Sequence, residues 1–295
     1  MSEIVKTDVA KLRAQLERKL PPKLPVFQLT DIPEVMRSRL GWPIAAQLMD
    51  RWFRHTKFEM PVAMKLGKSP YQLAKLTEEQ LDESTVKMSW ALGFSRVQAA
   101  MLKLKKEWAS SAGLELLQER VMRQSVGKGA SCWQFGNLSL SAKALDNLCQ
   151  VNVTKIGHMS DPMDDFYGAI GEATLKVAVS GMVTSNGQGR TSIEVSELGF
   201  YLRDAYDFND DSFLSQPLGF WGFNGVERSL RIALDVPTSA QFVHEADVEG
   251  VRARKYLVQN KHFRQWRAQS GKGGDFMVLS DVHRVRLPMP IRFEW

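Results

Sequence analysis

The chain has 295 residues, 44% hydrophobic and 24% charged, the profile of a soluble globular protein with one large domain or two ordinary ones. Its formal charge of +6 is uneven: residues 1–150 carry 23 Lys and Arg against 15 Asp and Glu, whereas residues 151–295 carry 16 against 18. Two cysteines, Cys132 and Cys149, exclude a disulfide framework, and no apolar run is long enough for a conventional transmembrane helix.

The first twenty residues lack the apolar core of a signal peptide, so synthesis in the cytoplasm is expected, with any outside action needing another export route. Val5, Val9, Leu12, Leu16 and Leu20 instead line one stripe of a charged amphipathic helix, which Pro21, Pro22 and Pro25 then stop. Residues 1–25 therefore read as an appendage, and the compact body begins near Val26.

Residues 31–125 read as helical. Pro43 suits a first helical turn, and Ile44, Leu48 and Trp52 recur at four-residue spacing on a face expected to be buried. Thr77 and Gln80 have capping-box spacing and predict another helix start. Val97, Met101, Leu104 and Trp108 continue a helical stripe, with Lys103, Lys105 and Lys106 facing water. The basic surface of this half fits a solvated helical face better than a nucleic-acid site, because its lysines are scattered without interleaved aromatics. The stretch 141–149 fits a short helix or a strand equally well.

Past residue 150 strand signals dominate. Leu175, Val177 and Val179 alternate with polar or small residues, and Asn186-Gly187-Gln188-Gly189 marks a hairpin turn. A central strand follows from Thr191, with a face change near Gly199 that suggests a bulge. Further strands are expected at 229–236, 254–258, 276–279 and 284–287, and a short helix at 263–268. The fold class is α+β: a helical part, 26–150, packed on a mostly antiparallel β-rich part, 151–295, that carries the active groups.

Chemistry concentrates where the central strand ends. Asp204, Asp207, Asp210 and Asp211 place four carboxylates within eight residues, which repel one another unless cations, hydrogen bonds or water compensate. Asp204 and Asp207 could ligate Mg²⁺ or Ca²⁺, with Tyr206 donating to a transferring oxygen; an ordinary Asp- and Asn-rich turn explains the same residues. Arg264 and Arg267 share a helix face, and Lys272, Gly273, Gly274 and Asp275 form a loop that could cradle an anion or simply turn the chain. His262 and His283 are acid–base candidates, and His158 lies near Asp161, Asp164 and Asp165. The absence of HExxH, paired CxxC and GxSxG patterns argues against zincins, zinc ribbons and α/β-hydrolases.

Several blocks recur together: Asp31-Ile32-Pro33, Gly41-Trp42-Pro43 with Met49-Asp50-Arg51-Trp52-Phe53, the run from Tyr201 to Asn209, Gln216 to Trp221, and Phe263 to Phe276. Over nearly the whole chain after residue 25 this set resembles an uncharacterised proteobacterial family often associated with type VI secretion and polymorphic-toxin loci. Asp204-x-Tyr206-Asp207 is also similar to the catalytic segment of colicin M-type bacteriocins, Mg²⁺-dependent enzymes that cleave a lipid-linked peptidoglycan precursor. Their following His-Arg pair is missing here, so His283-Arg284 or His262 with Arg264 would have to substitute.

These resemblances imply an antibacterial effector exported by contact-dependent secretion. It would act on a phosphate-containing envelope substrate, with a spike or adaptor protein and a cognate immunity protein as partners. The alternative is a non-enzymatic adaptor, chaperone or spike module that docks through the amphipathic segment.

Overall fold

The spine of the molecule is a long antiparallel hairpin of β4 (Ala173–Asn186) and β5 (Thr191–Tyr206), closed by Asn186 N–H donating to Arg190 O at 3.1 Å. The computed structural model describes residues 26–158, 160–186, 190–210, 215–228, 244–248 and 251–295, with backbone alone at 244–248 and 251–254. The amphipathic segment 1–25 and the strand expected at 229–236 lie outside the described residues.

Each spine strand carries two shorter partners in succession. Along β4 these are β3 (Gln150–Ile156) and then β2 (Ala130–Phe135); along β5 they are β11 (His283–Glu294) and then β10 (Phe276–Leu279). A two-residue β1 (Leu81–Asp82) adds the parallel pairing, against β10. A second, antiparallel sheet holds β6 (Pro217–Gly222), β7 (Gly225–Glu227), β8 (His244–Val248) and β9 (Val251–Gln259). The α+β class is thus observed, and the strands expected at 254–258, 276–279 and 284–287 fall within β9, β10 and β11.

The bulge lies three residues before the expected place. Ser180 pairs with Glu197 and Gly181 with Val195, leaving Ser196 unpaired opposite a shift that also interrupts the β11 ladder. Gly199 answers a packing demand instead: a Cβ there would lie 2.9 Å from Val282 Cγ1 and 3.1 Å from Leu138 Cδ2.

Helices cover the spine. α1 (Ile32–Val35) runs through a π-helical turn, Met36–Leu40, to Gly41 at φ 66°, and α2 (Pro43–Arg54) follows with Pro43 in its first turn. Leu48 and Trp52 are fully buried as the spacing required, and Ile44 is half-buried. The N-terminus of α2 is capped from a distance: Asp165 accepts hydrogen bonds from Ala45 N at 2.9 Å and Ile44 N at 3.3 Å. Asp165 belongs to α8 (Asp165–Ala169). The other helices are α3 (Val62–Lys65), α4 (Met88–Ala91), α5 (Ser95–Glu107), α6 (Ser111–Ser125), α7 (Ala142–Leu148) and α9 (Asn260–Ser270). α7 resolves the ambiguity at 141–149 as a helix, and α9 contains the helix expected at 263–268.

No helix opens at Thr77. Its N–H does meet Gln80 Oε1 at 3.3 Å, but Gln80 O accepts from Met277 N at 2.8 Å and draws the chain into β1 beside β10. Pairing with the sheet overrides the local cap. One hydrophobic core runs through both parts, from Phe27, Trp52 and Val97 to Leu202, Phe263 and Leu279. Among the described residues no helix is long and apolar enough to cross a membrane, and both cysteines are free.

Gly181 sits against its neighbour strand so closely that a Cβ would stand 2.1 Å from Glu194 O. Gly181→Ala should therefore cost about 2 kcal/mol or more of unfolding free energy in urea titration. A loss within experimental error would show that the bulge gives way freely.

Candidate functional site

The end of β5 opens into a cavity of about 430 Å³ between the two sheets and the helices α1, α2 and α8. One wall is polar: Lys65, Asp204, Tyr206, Asp207 and Asn209. The lining also has an apolar, methionine-rich set, Met36, Met49 and Met163 with Trp42 and Trp221. His158 and Glu172, both exposed, stand at the rim. The expected Asp204-x-Tyr206-Asp207 motif thus faces a chamber large enough for a small ligand or part of a longer one.

Three carboxylates meet near this wall, and their surroundings separate them. Asp275, fully buried, accepts from Trp52 Nε1 at 2.8 Å, Met60 N at 3.0 Å, Asn209 Nδ2 at 3.0 Å and Arg267 Nη1 at 3.0 Å. Asp207 meets the Lys65 ammonium at 2.9 Å and accepts from Asn209 N at 2.9 Å. Burial raises the Asp207 carboxyl, while Lys65 and the Asn209 N–H act in the opposite sense. Asp204 forms no ion pair among the described residues. Part of its surface reaches solvent, yet the carboxyl is enclosed by protein, and burial, with the neighbouring Asp207 charge, pushes it up to about 8. The two neighbouring carboxyls thus differ in surroundings: burial raises both, but at Asp207 the facing Lys65 ammonium opposes it directly.

Tyr206 is buried between aromatic rings, stacked on Phe276 at 5.1 Å and edge-on to Phe208 at 5.7 Å. Its hydroxyl is raised by burial, so it stays protonated and able to donate.

The other expected site residues take structural positions. Arg267 is 3% exposed and held by Asp275, Glu59, Phe58 O and Asn209, which leaves its guanidinium engaged within the protein. Arg264 clamps the turn after β5, meeting Asp210 at 2.6 Å and Phe208 O at 2.8 Å. His262 Nδ1 accepts from Gln259 N at 3.1 Å, capping α9. His283 pairs with Phe200, four residues up β5 from Asp204 and so about 13 Å away along the strand.

The glycine loop is not an anion cradle. Lys272 N donates to Ser270 Oγ, Gly273 N to His55 O, Gly274 N to Trp52 O and Asp275 N to Phe58 O, all within 3.0–3.2 Å. Gly273, at φ 92°, also lies under the Trp52 indole, where a Cβ would come within 2.6 Å. The carboxylates near His158 are committed as well: Asp164 is paired with Arg96 and Asp165 caps α2, while His158 Nδ1 lies 2.7 Å from Ser160 Oγ.

Mg²⁺ and Ca²⁺ take six or more oxygen ligands. Among the described residues no group of three or more His, Cys, Asp or Glu side chains is placed to hold a metal. Of the pair expected to ligate such an ion, Asp207 faces the Lys65 ammonium at 2.9 Å.

Sequence reasoning missed Lys65, Asn209 and the methionine-rich lining. Lys65 lies 142 residues from the carboxylate it pairs with, and nothing local distinguishes it from a surface lysine. Asn209 was visible only as a turn residue, although it lies two positions past the motif.

The match to a family model spans residues 27–295 and is described as a family of unknown function, DUF6402. The chain belongs to that family. No curated protein and no solved structure matches it.

The Arg267–Asp275 pair should hold α9 against the chain that enters β10, at the point where Trp52 and Met60 N–H also meet Asp275. Arg267→Met leaves a buried carboxylate without its counter-charge and should cost about 3–5 kcal/mol in urea unfolding. A loss under about 1 kcal/mol would mean the pair is dispensable.

Proposed function

We propose that the chain is a hydrolase-type antibacterial effector acting on a phosphate-containing envelope component through acid–base chemistry at Asp204 and Asp207. The observation that carries the chemistry is the pairing of unlike carboxyls in one cavity: Asp204, raised by burial to about 8 and in no ion pair among the described residues, and Asp207 beside Lys65. The mixed polar and methionine-rich lining supports an amphipathic substrate, such as a lipid-linked precursor. The assignment to an exported toxin rests on the sequence resemblance.

In this reading Lys65 turns from Asp207 toward the substrate phosphate. Water attacks phosphorus and passes its proton to Asp207, the ester P–O bond breaks, and Asp204 gives its proton to the departing oxygen. Both carboxyls then re-equilibrate with solvent. No metal is assigned a step.

The test is paired expression in a bacterial host, cytoplasmic and periplasm-directed, of the natural chain and Asp204→Asn. Periplasm-only lysis that Asp204→Asn removes at equal protein level is the expected outcome. Undiminished toxicity in the variant would overturn the site, and no toxicity in either compartment would favour the adaptor role.

Stability carries a second signature. A carboxyl raised from about 4 to about 8 favours the native state when protonated, so its contribution is complete below pH 4 and is lost as pH rises through 8. Asp204→Asn should flatten that slope and, at pH 8.5, raise Tm by about 2–4 °C. An unchanged slope between pH 5 and pH 8.5 would contradict the burial of this carboxyl.

A further inference from the structure

Resting on the acid–base reading of the cavity, we infer that Asn209 is a positioning residue that fixes the Asp207–Lys65 pair by tying its turn to the buried Arg267–Asp275 pair. All the polar groups that Asn209 presents to this region are used. Its backbone N–H donates to Asp207 Oδ1 at 2.9 Å, its Nδ2 donates to Asp275 Oδ2 at 3.0 Å, and its Oδ1 accepts from Arg267 Nη2 at 3.2 Å. The orientation of the amide follows from its neighbours: the NH₂ meets a carboxylate and the oxygen meets a guanidinium.

The consequence is mechanical. Asp207 follows the last residue of β5, where the sheet ladder no longer holds the backbone. Beyond it, Phe208 is stacked on Phe263 with ring centres 3.8 Å apart, which anchors the turn to α9 but leaves the direction of the Asp207 carboxylate open. Asn209 supplies that direction. Its N–H holds one carboxylate oxygen, and its side chain is bound to the most buried charged group nearby, itself fixed by Trp52 and Met60 N. Lys65 comes from α3, a separate element whose backbone is held to β5 by Arg203 Nη2 donating to Lys65 O at 2.9 Å, so the ion pair forms only if Asp207 points there. In water two such flexible side chains gain little from pairing; a carboxylate already oriented removes part of that entropy cost.

The test needs no substrate. In ¹⁵N-detected spectra a lysine ammonium gives a distinct side-chain signal when an ion pair slows its hydrogen exchange. The natural protein should show that signal for Lys65, assigned by its loss in Lys65→Arg. Asn209→Ala should abolish it or speed its exchange at least about tenfold, with the backbone amide spectrum retained. Asn209→Asp keeps the backbone donor and the acceptor toward Arg267 but sets a carboxylate against Asp275, and should release Lys65 likewise. This second variant supplies the reading if Asn209→Ala does not fold. A protected Lys65 signal that survives in a folded Asn209 variant, even one with a lowered Tm, would assign Asn209 to stability alone and overturn the inference. Because the readout is the ion pair itself, it stands apart from whether the cavity hydrolyses an envelope phosphoester.

Discussion

Everything near the cavity depends on how one buried carboxylate, Asp275, is satisfied. It lies at the start of β10, yet its partners come from α2 (Trp52), the loop after α2 (Met60 N–H), the turn after β5 (Asn209) and α9 (Arg267). Burying such a charge is costly, and breaking one contact leaves the rest stranded. Four chain segments are therefore obliged to meet at one point, and the aromatic cluster of Trp52, Phe53, Phe208, Phe263 and Trp266 closes over it. Helical and β parts share this centre, and Asn209 links it to the cavity lining.

That centre divides labour among the acids. Arg267 serves Asp275 and Lys65 serves Asp207, while Asp204 forms no ion pair among the described residues. A pair of neighbouring carboxyls with different partners differs in proton affinity for that reason alone, and such a difference is what acid–base chemistry requires. The tyrosine between them stays neutral for a related reason, since its ring is packed on Phe276 and Phe208.

The sequence disclosed patterns that are local and hid those that are not. Period-two alternation located β4 and β5, and four-residue spacing identified the buried face of α2, because both follow from backbone geometry over a few residues. The Asp204-Tyr206-Asp207 motif was legible as the cavity wall because a strand end dense in carboxylates stands out. Arg267 and Asp275 were conspicuous too, but as site residues rather than as the core pair they form, since burial cannot be read from residue type. The Thr77 cap failed for the same reason: its alternative partner, Met277, is two hundred residues away. Lys65 gave no signal at all.

Asp204 is the acid of this account: burial raises its carboxyl to about 8, and it forms no ion pair among the described residues. The most direct measurement is a ¹³C NMR titration of its side-chain carboxyl in the folded protein, assigned with Asp204→Asn. A midpoint near 8 is the result required here. A midpoint near 4, the ordinary aspartate value, would mean that water or a cation reaches the group freely and that the cavity holds no acid at this position.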